Sequence, residues 1–382
     1  MRRLFDTAVD KPHPAPQKFH SLLVKGLVEN GQSVTCLVAR PVTVKTHPHK
    51  KWWKLEREIV DGVKYVYMPF YNHPIPKLLG FKFYAFFYTL LWAWRTRGDK
   101  AMICDVLNVH ASASMKACKI VGMKSVGIVT DIPGLMVWQK KASLIRRWLR
   151  NLHMLNIRRM SHFVPLTEAM CDLINPERKK PYVVVEGIVD SVMDYKAPTP
   201  YQDGKRHITY TGTLNARYGV RDLVKGFMKL PQNDIVLDIY GRGPMDVEMT
   251  KYANQDGRIH FHGMVTNDKA VQAQRSSFLL VNPRPTAEEF TKYSFPSKNM
   301  EYMATGVPVM TAVLPGMPKE YHPYVFLFED ETEEGICHRL NEILLMPIDK
   351  VRERGLLGKD FVIKNKNNIR QAERVIELIN QG

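Results

Sequence analysis

The sequence predicts an α/β protein of two domains, each carrying a parallel sheet, and three observations lead there. A length of 382 residues exceeds what one core usually organises. Residues 102–131 alternate strand, helix and strand, the rhythm of a parallel βαβ unit. Residues 290–313 read as turn, helix and strand, ending in the apolar run from Val307 to Val313. An apolar fraction of 45% with 24% charged residues is ordinary for a globular chain and supplies a sizeable core.

The net charge of +17 is unevenly placed. Residues 1–190 hold 30 Lys and Arg against 14 Asp and Glu; residues 191–382 hold 25 against 24. A basic first domain suits nucleic acid or an anionic membrane surface. With no helix-turn-helix, zinc or RNP-like pattern beside the charge, nucleic acid is not expected as a partner. Cys36, Cys104, Cys118, Cys171 and Cys337 form no CxxC or His-rich cluster, which predicts reduced thiols in a cytoplasmic protein. The start, Met1-Arg-Arg-Leu-Phe-Asp, has no apolar h-region, so no cleaved signal is expected.

In chain order, residues 1–16 are polar and proline-rich. Residues 17–30 form a helix with Phe19, Leu22, Leu23 and Leu27 on one face, closed by Gly31, before a strand over 33–39. Trp52 and Trp53 sit among lysines, a composition suited to a lipid headgroup layer or to a loop packed on its own domain. Residues 78–94 are apolar apart from Lys82, but the uncharged part spans twelve residues, short of the about 20 needed to cross a bilayer. A buried helix is expected there, with a helix immersed in the membrane interface as the second reading. Strands over 102–108 and 125–131 place Asn108, His110 and Asp131 beyond carboxyl ends of a parallel sheet, where such sheets bind ligands. These are the candidate acceptor contacts, with Asp131 also a candidate catalytic group. Residues 138–159, with Arg146 and Arg147, form a basic amphipathic helix, either a membrane-surface element or a solvated basic face. Short strands follow at 162–166 and 182–185, then a linker over 191–206.

The second domain opens with a strand at 207–210 and the loop 211–219. Gly212, beside Thr213, lets the backbone approach a ligand, and Arg217 offers a fork to phosphate. After the strand 235–240, Gly241 and Gly243 begin a dinucleotide-like pattern that Asp246 breaks, so NAD is not expected. Strands at 258–262 and 277–282 lead to Glu288 and Glu289. In the next helix Ser297 is the expected N-cap and Gly306 the left-handed terminator. Helix-start amides and Lys298 suit a diphosphate. Glu301, one turn beyond Ser297, can accept a ribose diol. Set against this is an ordinary cap with a solvated Lys298 and Glu301. Strands at 307–312 and 325–328, an acidic helix start at 329–334 and helices at 335–345 and 368–379 complete the chain.

"SFPSKNMEYMATGVPVM", with "VNPRP", "YTGTLNARYGV" and "LDIYGRGP" before it, resembles the nucleotide-sugar domain of family-four glycosyltransferases, most strongly over 207–315. The resemblance implies a GT-B fold: two Rossmann-like domains facing across a cleft, at 1–190 and 207–360, with residues 361–382 folding back on the first. It implies sugar transfer with retention, donor phosphates on the helix tip and on a basic loop residue, and ribose on Glu301. Tyr293 stands where the family carries a second glutamate, and Glu288 and Glu289 lie close enough in sequence to substitute. The candidate donor contacts are thus Gly212, Thr213, Arg217, Gly241 and Glu289, with Tyr293, Ser294, Ser297, Lys298 and Glu301. Arg217 and Lys298 join Asp131 as candidate catalytic groups. The opening strand of such a domain is missing, or residues 3–9 replace it weakly.

The expected reaction moves a sugar from a nucleotide-sugar, commonly UDP-linked, to a saccharide or lipid-linked acceptor. The expected place is the inner face of the plasma membrane, in polysaccharide assembly. No cofactor or metal is expected, since no Asp-x-Asp stands near the site. A sugar-nucleotide epimerase on the same scaffold and a catalytically lapsed, membrane-docked scaffold remain open at this point.

Overall fold

The structure, a computed structural model, describes residues 15–133, 144–192 and 196–381. The expectations for residues 3–9 and 138–143, and for the Arg146 side chain, lie outside the described residues. The chain divides into two units, Met1–Ile188 with Asn368–Gly382, and Val189–Asn367.

In the first unit, helix α1 (Ala15–Glu29) buries Leu22, Leu23 and Leu27 with Ala372, Val375 and Leu378 of the C-terminal helix (Asn368–Asn380). The helices cross closely at Gly26, where any Cβ would strike the Asn368 carbonyl. Strand β1 (Thr35–Val38) pairs parallel with β4 (Val63–Tyr67), which pairs antiparallel with β3 (Glu56–Val60). The two-residue strands β2 (Trp52–Trp53) and β5 (Phe70–Tyr71) form a separate pair.

Helix α2 (Pro74–Arg95) follows. It buries Phe81, Ala85, Thr89 and Ala93 on one face only. Phe83 is 69% exposed and Trp94 80%, in line with exposed Ile75, Leu79, Phe87 and Leu91. The expected buried helix is thus corrected: the segment is apolar all round, and the unit has neighbours for one side. No described helix is long and apolar enough to cross a membrane.

Strands β6 (Ala101–Asp105), β7 (Lys124–Val129) and β8 (His162–Pro165) form a parallel sheet in that order, linked by α3 (Ala111–Ile120) and by a connection containing the basic α4 (Leu144–Arg158). Residues 182–185, expected as a strand, make one isolated bridge, Phe163 to Tyr182.

The second unit holds six parallel strands: β9 (Arg206–Thr211), β10 (Ile235–Tyr240), β11 (Ile259–Gly263), β12 (Leu279–Asn282), β13 (Val309–Ala312) and β14 (Phe326–Phe328). Their spatial order is β11-β10-β9-β12-β13-β14. This is the doubly wound order, which reverses direction between β9 and β12. The central strands are buried on both faces (Ile208, Tyr210, Leu237, Ile239, Leu280, Met310), as continuous apolar runs in parallel sheets must be.

Residues 196–206, within the stretch expected as a linker, fall in this unit. Tyr201 stacks on His207 at 3.9 Å, and Thr199 N–H donates to the Arg275 carbonyl.

Candidate functional site

Doubly wound sheets bind ligands beyond the carboxyl ends of the strands where the winding reverses. Here that point lies between the Gly212 loop after β9 and the Pro283 loop after β12. Helix α5 (Ser297–Ala304), the eight-residue element ahead of β13, is tied to this point by buried polar bonds. Tyr302 Oη accepts from the Thr211 N–H at 2.9 Å. Asn299 accepts from Asn282 Nδ2 at 2.6 Å and donates to Thr311 Oγ1. Gly306, at φ 81°, ends the helix in the left-handed conformation, as expected.

Three chain segments converge beside this helix. Gly212 (φ 153°) and Gly241 (φ 141°) occupy backbone conformations that favour glycine. A Cβ on Gly241 would strike the Gly212 carbonyl, and one on Gly212 would strike the Lys298 ammonium. Lys298 Nζ lies 4.2 Å from the centroid of the Tyr210 ring. Burial, with the Arg284 cation second, drives its pKa down to about 7. Glu301, exposed one turn along, pulls the other way.

Arg284, in "VNPRP", is the residue that reading the sequence missed. Its guanidinium donates to Ser294 Oγ at 2.9 Å and lies 4.4 Å from the Phe290 ring centroid. Its Nε is buried without a partner, and burial lowers its pKa. Two covered cations at one switch point, neither in a salt bridge among the described residues, make a strongly anion-seeking site.

Three donor expectations are corrected. Ser297 is the first helical residue, and the cap is Pro296 with no side-chain cap bond. Proline already fixes the entry backbone there, and position N1 needs no capping hydroxyl. Arg217 is held in a two-bond pair by Glu288, with Nε to Oε1 at 2.9 Å. Its charge is therefore matched before any ligand arrives. Glu288, weighed for a sugar contact, serves this pair instead.

Thr213, Glu289 and Glu301 are exposed. Tyr293 and Ser294 close the turn Glu289–Tyr293, where Ser294 links Phe290 O to Arg284.

The first unit gathers a separate polar group at the ends of β6 and β7. Asp105 accepts from His20 Nε2 at 2.9 Å and Thr130 Oγ1 at 3.0 Å. Asp131 is half-buried; burial raises its pKa, and Asp105 adds to this. Sequence reading found Asp131 but not Asp105 or His20, because their pairing spans 85 residues. Asn108 is exposed. His110 is 7% exposed, its Nδ1 is buried without a partner and burial takes its pKa to about 4. His110, expected as an acceptor contact, is thus a covered, neutral imidazole.

Trp53 is 6% exposed and stacks on Phe70, whereas Trp52 is 70% exposed. Successive strand residues point to opposite faces, so only Trp52 remains available to a membrane. Arg147 is exposed on α4. The one described group able to hold a metal, Asp238 with His260 and His262, lies on β10 and β11.

A doubly wound unit with two covered cations at its switch point has the architecture of the Rossmann-like folds. Residues 205–345 match the family model of Glycosyl transferases group 1. Sucrose-phosphate synthase from Thermosynechococcus elongatus matches at TM-score 0.65 and 12% identity, over 95% of this chain and 92% of that one. Anabaena HepE in complex with UDP matches at TM-score 0.56 and 14% identity, over 72% and 76%. The lipopolysaccharide outer core galactosyltransferase WaaB matches at TM-score 0.56 and 17% identity, over 84% and 85%. No curated protein matches the chain in sequence. The fold is GT-B, and residues 205–345 of its second unit carry the match to Glycosyl transferases group 1.

Proposed function

We propose that the second unit binds a UDP-sugar and that the enzyme passes the sugar, with retention, to a saccharide or lipid-linked acceptor at the inner membrane face. One observation carries the donor reading: Lys298 and Arg284 are covered at the switch point with no carboxylate bridging them. Breaking the bond from the anomeric carbon to the diphosphate leaves negative charge on the leaving oxygen. Fixed cations stabilise such charge most where water is excluded. The diphosphate lies against Lys298, Arg284 and the Gly212 backbone, and Glu301 takes the ribose hydroxyls. HepE, a structural neighbour, has been captured with UDP-glucose, which supports uridine as the base.

The acceptor and the location rest on the first unit. The exposed stripe of α2, Ile75 to Trp94, with Trp52 and the basic surface of α4, supports a membrane-facing unit in polysaccharide assembly. Asp131 and Asp105 are the groups there able to contact an acceptor hydroxyl.

A thermal-shift titration with UDP tests the donor site. At 100 times its dissociation constant UDP stabilises the protein by about 2.7 kcal/mol. Glu301→Ala removes most of that gain; an unchanged gain would overturn the ribose assignment.

A further inference from the structure

The sheet of β6, β7 and β8 has a second end. Its carboxyl end carries Asp105 and Asp131. At its amino end lies a cavity of about 790 Å³, floored by Met123, Ser125, Met160 and Ser161. Five cations line it: Lys116 and Lys119 from α3, Arg158 and Arg159 from the end of α4, and Lys180. No carboxylate is among the lining residues.

Two of the cations are fixed by backbone oxygens. Arg158 donates to the Leu173 carbonyl at 2.9 Å, and Lys180 Nζ to the Met160 carbonyl at 2.7 Å. Burial lowers the Lys180 pKa, as expected of a covered ammonium with no anion beside it. The side chains of Lys116, Lys119 and Arg159 make no hydrogen bond or ion pair among the described residues, and all three residues are exposed at the rim. The floor is rigid: Ser125 N–H donates to Ser161 Oγ at 2.8 Å, and that hydroxyl donates to the Ser125 carbonyl at 2.9 Å.

Five like charges around one concavity repel one another, and concave walls focus their field on the space between. A singly charged carboxylate matches little of that field. A phosphate-rich anion matches it well, since it accepts bidentate bonds from arginine and point-charge contacts from lysine together. We propose that this cavity is a second anion site, taking a diphosphate or another multiply charged phosphate group, at the opposite end of the sheet from the Asp131 cluster. It is independent of the donor site in the second unit. The same chemistry is offered by a soluble phosphate compound and by a phosphate-bearing lipid headgroup.

Calorimetric titration with inorganic pyrophosphate tests it, using the full chain, Lys298→Gln, and the triple variant Lys116→Gln, Lys119→Gln, Arg159→Gln. The three replaced side chains are exposed, so thermal unfolding of the triple variant should match that of the parent. Lys298→Gln should keep a pyrophosphate-binding event that the triple variant weakens by about tenfold or more, because each charge-assisted contact is individually strong. Equal binding by parent and triple variant would overturn the proposal, as would complete loss of binding in Lys298→Gln. Flotation with phosphatidylcholine vesicles, with and without phosphatidic acid, separates the sources. If the triple variant also loses the phosphatidic acid-dependent flotation, the ligand is a headgroup. If only pyrophosphate binding falls, it is a soluble phosphate. Either outcome supports the site.

Discussion

The two units share parallel strands but handle charge in opposite ways. Across residues 191–382, 25 Lys and Arg meet 24 Asp and Glu, and many are matched: Arg221 with Glu248, Arg206 with Asp234, Arg217 with Glu288. Lys298 and Arg284 are the unmatched exceptions at the switch point. Across residues 1–190 the surplus is 30 against 14 and sits largely at the surface, on α4 and around the basic cavity. A covered, unmatched charge carries a desolvation cost that a ligand can relieve, whereas an exposed surplus is already solvated. Net charge therefore points to the first unit, while the proposed donor site lies in the balanced one.

The sharpest way to break this comparison is at the backbone. Gly241→Ala forces a side chain into the Gly212 carbonyl at φ 141° and is expected to cost several kcal/mol in urea unfolding, with loss of UDP binding. Gly80→Ala, on α2 with open space around it, should be neutral or stabilise by up to about 1 kcal/mol. Similar costs at both positions would mean that the glycine loops are not tightly built.

Next in size, Arg284→Met should weaken UDP binding by about a hundredfold, the loss of a charge-assisted contact to phosphate. Arg217→Met should cost less than about tenfold, because Glu288 already holds that guanidinium. The reverse ranking, read by calorimetry, would return the phosphate to Arg217.

On the first unit, Phe83→Asp with Trp94→Asp should lower affinity for anionic vesicles by about tenfold or more, since each buried aromatic contributes roughly 1.5–3 kcal/mol. UDP affinity should be untouched. Vesicle binding that survives this pair would remove α2 from the membrane-facing surface.

The smallest effect is a proton. With the Lys298 pKa near 7, part of the population is neutral at pH 8, and a bound diphosphate favours the ammonium. UDP binding should then take up a fraction of a proton, visible as a buffer-dependent enthalpy. The stability sign follows. The unfolded chain holds this proton up to about pH 10.4 and the folded one only to about 7, so folding stability rises with pH across that window. Lys298→Met should stabilise the ligand-free protein most below pH 7, and its advantage should vanish toward pH 10.

Much of this was legible in the sequence. Periodicity located β10 without error and the Ser297 helix with its Gly306 stop, because both signals are local. The Gly212 loop, Lys298 and Glu301 were named as candidates from equally local signals. Arg284 lies inside the quoted "VNPRP" but was not singled out, because only the convergence of β12 and α5 sets it beside Lys298. Ser297 was misread as the cap because Pro296, one residue earlier, takes that place. Helix α2 was expected to be buried because composition records how apolar a segment is, not how many neighbours it finds.

By itself, then, the sequence located the six parallel strands of the second unit and named a glycine, a lysine and a glutamate as donor candidates, all of which depend on spacing along the chain. Tertiary structure alone decided which charges are matched: Arg217 by Glu288, 71 residues away, and Lys298 and Arg284 by no salt bridge among the described residues. Pairing depends on distance and burial in three dimensions, and neither is written in the order of residues.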